Sequence, residues 1–259
     1  MGCTDKKDPR TENFPKTRER VQDIPPHDRV WVFMMAGQSN MAGRGLVEPE
    51  DTIPDQRILS IDSTGALVYA KEPLHFYEPT LTGLDCGVSF ARTLLSSVPD
   101  SISILMIPTA VGGSSIKQWL GDSIHNGVKL LSNFREKAAI GGRYGEFKAI
   151  LWHQGETDAN ERDIPQHTSR LSSLFSQLRE IVGNPGLPVL IGELGAYSRD
   201  EEHWAQINQA IHAYAATDSN ASVIPTGDLK EKGDRIHFDA AGQRTIGQRM
   251  AAEYIRRFK

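Results

Sequence analysis

Six short apolar runs, each closed by glycine or polar residues, alternate along this chain with segments of helical period, and that alternation leaves few architectures open. The runs occupy 29–36, 57–61, 101–108, 147–152, 187–192 and 221–225. Between them the spacing predicts helices over 85–97, 128–140, 165–182 and 200–216. A last helix follows His237, where Asp239 can cap the start and Ile246, Met250, Tyr254 and Phe258 recur at four-residue spacing on one face. A strand that is apolar without interruption is buried on both faces. Strand, helix and strand in repetition therefore mean an α/β fold with a parallel sheet covered on each side.

One core accounts for the whole. The 259 residues are 39% hydrophobic and 24% charged, ample for a single domain. No internal repeat, low-complexity block or second linker divides it. The expected organisation is a disordered tether over 1–28 and a catalytic-type domain over 29–259. A formal net charge of −4, without a dense Lys/Arg patch, gives no pull toward nucleic acid or acidic lipid, so a small or neutral substrate is expected. No apolar stretch reaches the roughly eighteen residues that would span a bilayer. Cys3 and Cys86 lie in unlike contexts, a polar terminus and an apolar helix, and no disulfide is expected between them.

The Met1-Gly2-Cys3 start, followed by a polar run to Asp28, resembles a bacterial lipoprotein just after its lipid-modified cysteine. That reading carries a possible lipid anchor at Cys3 and a place in the bacterial cell envelope or periplasm. Its alternative is an unstructured start with an incidental cysteine, in the cytoplasm. The myristoylation pattern fails, because Lys6 stands where Ser or Thr is wanted.

Ligands of an open parallel sheet bind outside the carboxyl ends of its strands. Polar residues and glycines gather there. The first run ends in Gly37-Gln38-Ser39-Asn40, the third in Ala110-Val111-Gly112-Gly113, and the fourth in His153-Gln154-Gly155-Glu156. Asp234 and His237 follow the last run, and the turn-rich stretch 51–83 forms a long excursion beside these ends. A serine hydroxyl needs a base to take its proton, and an imidazole titrating near neutrality serves. Asp234 can hold the His237 ring in the correct tautomer. The backbone amides of Ser39 and Gly113 and the side-chain amide of Gln154 are candidate donors to the oxyanion. Gln38, Asn40, Gly112, His153 and Glu156 read as substrate-binding or supporting groups.

Each piece alone has a plainer account. Ser39 could be a helix cap, Asp234 or Asp239 could merely cap the last helix, and the glycine pair could be a tight turn. His153 rivals His237 as the base, and Trp119 and Trp204 read as core rather than sugar platforms. It is the joint order of strand-end serine, Gly-Gly, Gln and Asp-x-x-His that points to a serine hydrolase.

Four stretches carry a family resemblance: GQSNMAG at 37–43, AVGGSSIKQW at 110–119, WHQGETDA at 152–159 and DRIHFDAAG at 234–242. Over about 30–258 the chain resembles the SGNH (GDSL-like) hydrolases, in the branch of sialate O-acetylesterase-like domains and carbohydrate esterase family 6 acetylxylan esterases. The resemblance implies a three-layer α/β/α sandwich, flavodoxin-like, around a parallel sheet of about five strands. It also implies Ser39 as nucleophile, His237 as base, Asp234 as its orienter, and an oxyanion hole from Ser39, Gly113 and Gln154. The activity implied is hydrolysis of acetyl esters on sugar hydroxyls through an acetyl-serine. A non-catalytic carbohydrate-binding module and a sugar O-acetyltransferase stand as alternatives. No cofactor is implied: neither zinc-type spacing nor the Gly-Lys-Ser/Thr of a phosphate loop occurs. The acetylated sugar itself and the oligomeric state are left open.

Overall fold

A computed structural model describes residues 8–259. The chain runs β1 (Val30–Gly37), α1 (Ser39–Ala42), β2 (Ile58–Ile61), β3 (Leu67–Tyr69), α2 (Gly87–Leu95), β4 (Ser103–Pro108) and α3 (Ile116–Leu120). There follow a small hairpin of β5 (Ile124–His125) and β6 (Val128–Lys129), then α4 (Leu130–Tyr144), β7 (Glu146–His153) and α5 (His167–Val182). The chain closes with β8 (Val189–Gly192), α6 (Glu201–Ala215), β9 (Ala221–Ile224) and α7 (Ala240–Phe258).

The main sheet has the order β3-β2-β4-β1-β7-β8-β9, parallel throughout except for β3. The expected count of about five strands becomes seven. Six correspond to the apolar runs, and the seventh, β3, is three residues long and buried in the turn-rich excursion, where no period can announce it.

Period two explains why the runs are apolar at every position. In β1, Val32, Met34 and Ala36 face the core shared with α3, α4, α5 and α6, whereas Phe33 and Met35 face the core under α2 and α7. The helices match: Leu171, Leu174, Phe175 and Leu178 of α5 line one stripe, as do Ile246, Met250 and Tyr254 of α7. Asp239 caps α7 by accepting from Gly242 N at 2.7 Å.

β1 sits centrally, between β4 and β7. The chain leaves it toward β2 and β4 on one side and later builds β7, β8 and β9 on the other, so a crevice opens at its carboxyl end. Residues 51–83 supply β2 and β3 and then return toward that crevice.

The tether expected over 1–28 is corrected for its described part. Residues 19–21 run antiparallel beside β3, with Val21 N donating to Leu67 O at 3.1 Å and Tyr69 N to Glu19 O at 3.0 Å. Arg18 Nη1 donates to Lys71 O at 2.8 Å, and Arg10 reaches the Thr82 and Pro79 carbonyls. Backbone pairing and arginine forks leave no hydropathy period, which is why the segment reads as unstructured. Cys3 lies outside the described residues. Among the described residues no helix is long and apolar enough to cross a membrane.

Candidate active site

β1 ends where it must turn sharply. Gly37 has φ +135, and a Cβ there would lie 2.1 Å from the His153 carbonyl oxygen, so glycine is required. Gln38 N then donates to that same carbonyl at 2.9 Å, and Ser39, itself 6% exposed, opens the short helix α1.

The His237 ring meets it from a turn near the far end of the chain. His237 Nε2 is 2.9 Å from Ser39 Oγ, and His237 Nδ1 is 2.7 Å from Asp234 Oδ2. Asp234 Oδ1 accepts from the amides of Ile236 and His237, both at 2.9 Å. A carboxylate can only accept, so Nδ1 carries the proton and Nε2 accepts the serine hydroxyl. Partial burial pushes the Asp234 carboxyl up, but bonds from the His237 ring and the two amides outweigh it and hold it well below the usual range. The turn is tight: Arg235 sits at φ +60 in the left-handed region.

Asn40 ties that turn to the nucleophile. Its Oδ1 accepts from Phe238 N at 3.1 Å, and its Nδ2 donates to Ile236 O at 3.1 Å and to Glu156 Oε1 at 2.6 Å. Gln243 Nε2 donates to the Asn40 carbonyl at 2.9 Å. The residues flanking His237 are therefore held from both sides by the residue next to Ser39.

The glycine pair after β4 divides its duties. Gly112 N donates to Glu78 Oε2 at 2.6 Å and is spent. Gly113, at φ +72, donates its N–H to no described residue and faces the same cleft as Ser39. Glu78 is gripped by Arg44 Nη2 at 2.8 Å and Asn126 Nδ2 at 3.2 Å. Burial pushes the Glu78 carboxyl up, and Arg44 with the Gly112 and Asn126 donors brings it below its ordinary value. Arg44 and Glu78 escaped sequence reasoning because partners 34 residues apart share no motif. An arginine immediately after the nucleophile motif was the available signal.

The rival reading of His153 as the base and the expected oxyanion role of Gln154 do not survive the geometry. His153 does not reach Ser39. Its ring is buried edge-on to Phe238, its Nε2–H donates to Glu193 O at 2.8 Å, and burial lowers its basicity. Gln154 does not present its amide to the cleft. The side chain is fully buried, and its Nε2 is used by Gln38 Oε1 at 3.2 Å, by Ser114 O at 3.3 Å and by the Asp158 carboxylate. Asp158 in turn accepts from Ile116 N at 2.8 Å, so this amide braces the loops after β4 and β7. Trp119 and Trp204 are buried, and Trp119 Nε1 donates to Ser114 Oγ at 2.9 Å.

The cleft over Ser39 has a volume of about 770 Å³. Its walls include Arg10, Arg44, Thr80, His125, Asn126 and Lys232, side chains able to hydrogen-bond a hydroxyl-rich ligand. Among the described residues no group of three His, Cys, Asp or Glu is placed to hold a metal ion.

The family model for carbohydrate esterases described as sialic acid-specific acetylesterases matches residues 29–256. A probable carbohydrate esterase of Arabidopsis thaliana is 29% identical over 256 residues, covering 91% of this chain and 93% of that protein. Its crystal structure superposes with a TM-score of 0.79 at 25% identity, covering 90% of this chain and 100% of that one. NanS gives a TM-score of 0.70 at 18% identity over 90% of this chain and 98% of its own. A carbohydrate acetylesterase of Xanthomonas citri gives 0.67 at 17% over 89% and 56%. The last two likenesses speak to the fold.

Proposed function

This chain belongs to the sialic acid-specific acetylesterase family of carbohydrate esterases, within the SGNH hydrolases, and we propose that Ser39, His237 and Asp234 are the triad with which it removes acetyl groups from sugar hydroxyls. The observation that carries the assignment is the continuous hydrogen-bonded line from Ser39 Oγ through the His237 ring to Asp234, at 2.9 and 2.7 Å.

The chemistry follows from that line. Ser39 Oγ attacks the acetyl carbonyl carbon while its proton passes to His237 Nε2, and Asp234 stabilises the imidazolium. The tetrahedral centre collapses by breaking the bond to the sugar oxygen, which takes the proton from His237. Water then gives its proton to His237 and attacks the acetyl-serine, releasing acetate and restoring Ser39. The hydrogen-bonding side chains on the cleft walls, together with the carbohydrate esterase family, support a sugar leaving group. Sialate and xylan esters are the two substrate types to compare, and the Arabidopsis relative is named only as a carbohydrate esterase.

The test is acetate release from an O-acetylated sugar and from p-nitrophenyl acetate by the protein and by Ser39→Ala. Loss of turnover by several orders of magnitude, with ligand binding retained, is expected. Undiminished turnover in the variant removes the serine mechanism. An added sugar acceptor distinguishes hydrolysis from acetyl transfer.

A further inference from the structure

We propose that the side-chain amide of Gln38, not that of Gln154, is the third oxyanion donor beside the amides of Ser39 and Gly113; the assignment rests on the Ser39 esterase reading above. Three N–H groups converge on Gln38 Oε1: Gln154 Nε2 at 3.2 Å, Gly155 N at 3.4 Å and Thr157 N at 3.4 Å. Two of these are backbone amides, which can only donate, so the atom they face is the carboxamide oxygen whatever the Gln154 side chain does. The NH₂ group is thereby the other end of the carboxamide, turned away from those three donors.

Gln38 lines the cleft together with Ser39, Gly112, Gly113 and Thr157. Gln38 Nε2 donates to no described residue, although Gln38 is only 2% exposed. A donor held this firmly and left without an acceptor is ready before charge develops, and such preorganisation is what makes an oxyanion donor effective. Gln154, buried and with its own NH₂ committed, acts through Gln38 as a positioning residue. In the reaction no proton leaves Gln38. Its N–H hydrogen-bonds the carbonyl oxygen as that atom gains charge, and the charge returns to the carbonyl when the sugar oxygen departs.

Gln38→Glu separates the two ends of the side chain. It keeps an oxygen for the three donors and replaces the NH₂ with a second oxygen that repels the oxyanion. With p-nitrophenyl acetate, kcat is expected to fall about a hundredfold or more while KM stays within about twofold and the thermal transition is unmoved. Gln38→Ala should show a comparable loss in kcat, and Gln154→Ala added to Gln38→Glu should cost little more, since both act at one donor. A kcat for Gln38→Glu within tenfold of the parent overturns the assignment. So does a further full loss from Gln154→Ala in that background, which would return the donor role to Gln154. Ser39→Ala, run alongside, keeps the two readings apart: an active Ser39→Ala removes the esterase mechanism, whereas an inactive Ser39→Ala with an active Gln38→Glu removes the Gln38 role alone.

Discussion

Replacing Asp234 by Asn alters one atom's chemistry while leaving the turn its shape. Oδ1 accepts from the Ile236 and His237 amides at 2.9 Å each, and Oδ2 accepts from His237 Nδ1 at 2.7 Å. Those backbone amides can only donate, so the single oxygen of Asn must occupy the Oδ1 place. Its NH₂ group then faces the imidazole. Nδ1 is forced to accept, and the ring proton moves to Nε2, where it confronts the Ser39 hydroxyl 2.9 Å away. A ring protonated there cannot take the serine proton, and the anion that would stabilise the imidazolium is gone as well. Reversal of the tautomer in a serine triad lowers kcat by about 10⁴, or about 5.5 kcal/mol in the barrier. The assay is initial-rate hydrolysis of p-nitrophenyl acetate at pH 7.5, with the thermal transition measured in parallel. A folded Asp234→Asn variant with kcat within tenfold of the parent would refute the tautomer argument and with it the place of Asp234 in the mechanism.

Asn40→Ala removes the clamp on both sides of His237. It leaves the Phe238 amide and Ile236 carbonyl short of partners, and kcat should fall by about a hundredfold with a smaller change in KM, as expected when a reacting group is displaced by about 1 Å; parental kcat in steady-state assays would show that the turn holds itself. A second expectation concerns stability. His167 is fully buried with neither ring nitrogen bonded to a described residue, and burial, reinforced by the Arg170 charge, pushes it down to about 4. Between about pH 4 and pH 6.5 the unfolded chain binds this proton more readily than the folded one, so the contribution is complete above 6.5 and declines as pH falls. At pH 4.5 the decline amounts to about 2.5 kcal/mol. Urea unfolding at pH 7.5 and 4.5 should therefore show a smaller pH effect in His167→Leu than in the parent; equal slopes would place the acid sensitivity in other groups.

Much of this molecule is visible in one dimension. The run from Val30 to Gly37 is apolar at every position because Phe33 and Met35 face one core and Val32, Met34 and Ala36 the other, and such a pattern is local. The helix stripes of α5 and α7 are local too, and the capping Asp239 sits where its sequence context puts it. The residues of the candidate triad could be named because strand ends of a parallel sheet converge by topology. Less was visible in the amino-terminal segment and in the turn-rich excursion. Glu19 and Val21 bind the β3 edge through backbone groups that every residue owns, and β3 itself is too short to show a period.

The sequence by itself therefore determined the α/β class, the positions of six strands and five long helices, and the candidacy of Ser39, Asp234 and His237, since these depend on periodicity and on the chemistry of residue types. Only the tertiary structure decided that His237 rather than His153 stands at the serine, that the Gly112 amide is spent on Glu78 while the Gly113 N–H donates to no described residue, and that the Gln154 amide braces Gln38 instead of facing the cleft. The physical reason is that a hydrogen bond constrains direction. Gln38 and Gln154 are 116 residues apart, and Ser39 and His237 are 198 apart. Which face of a side chain is committed and which is left for a substrate is settled by the groups that packing brings against it.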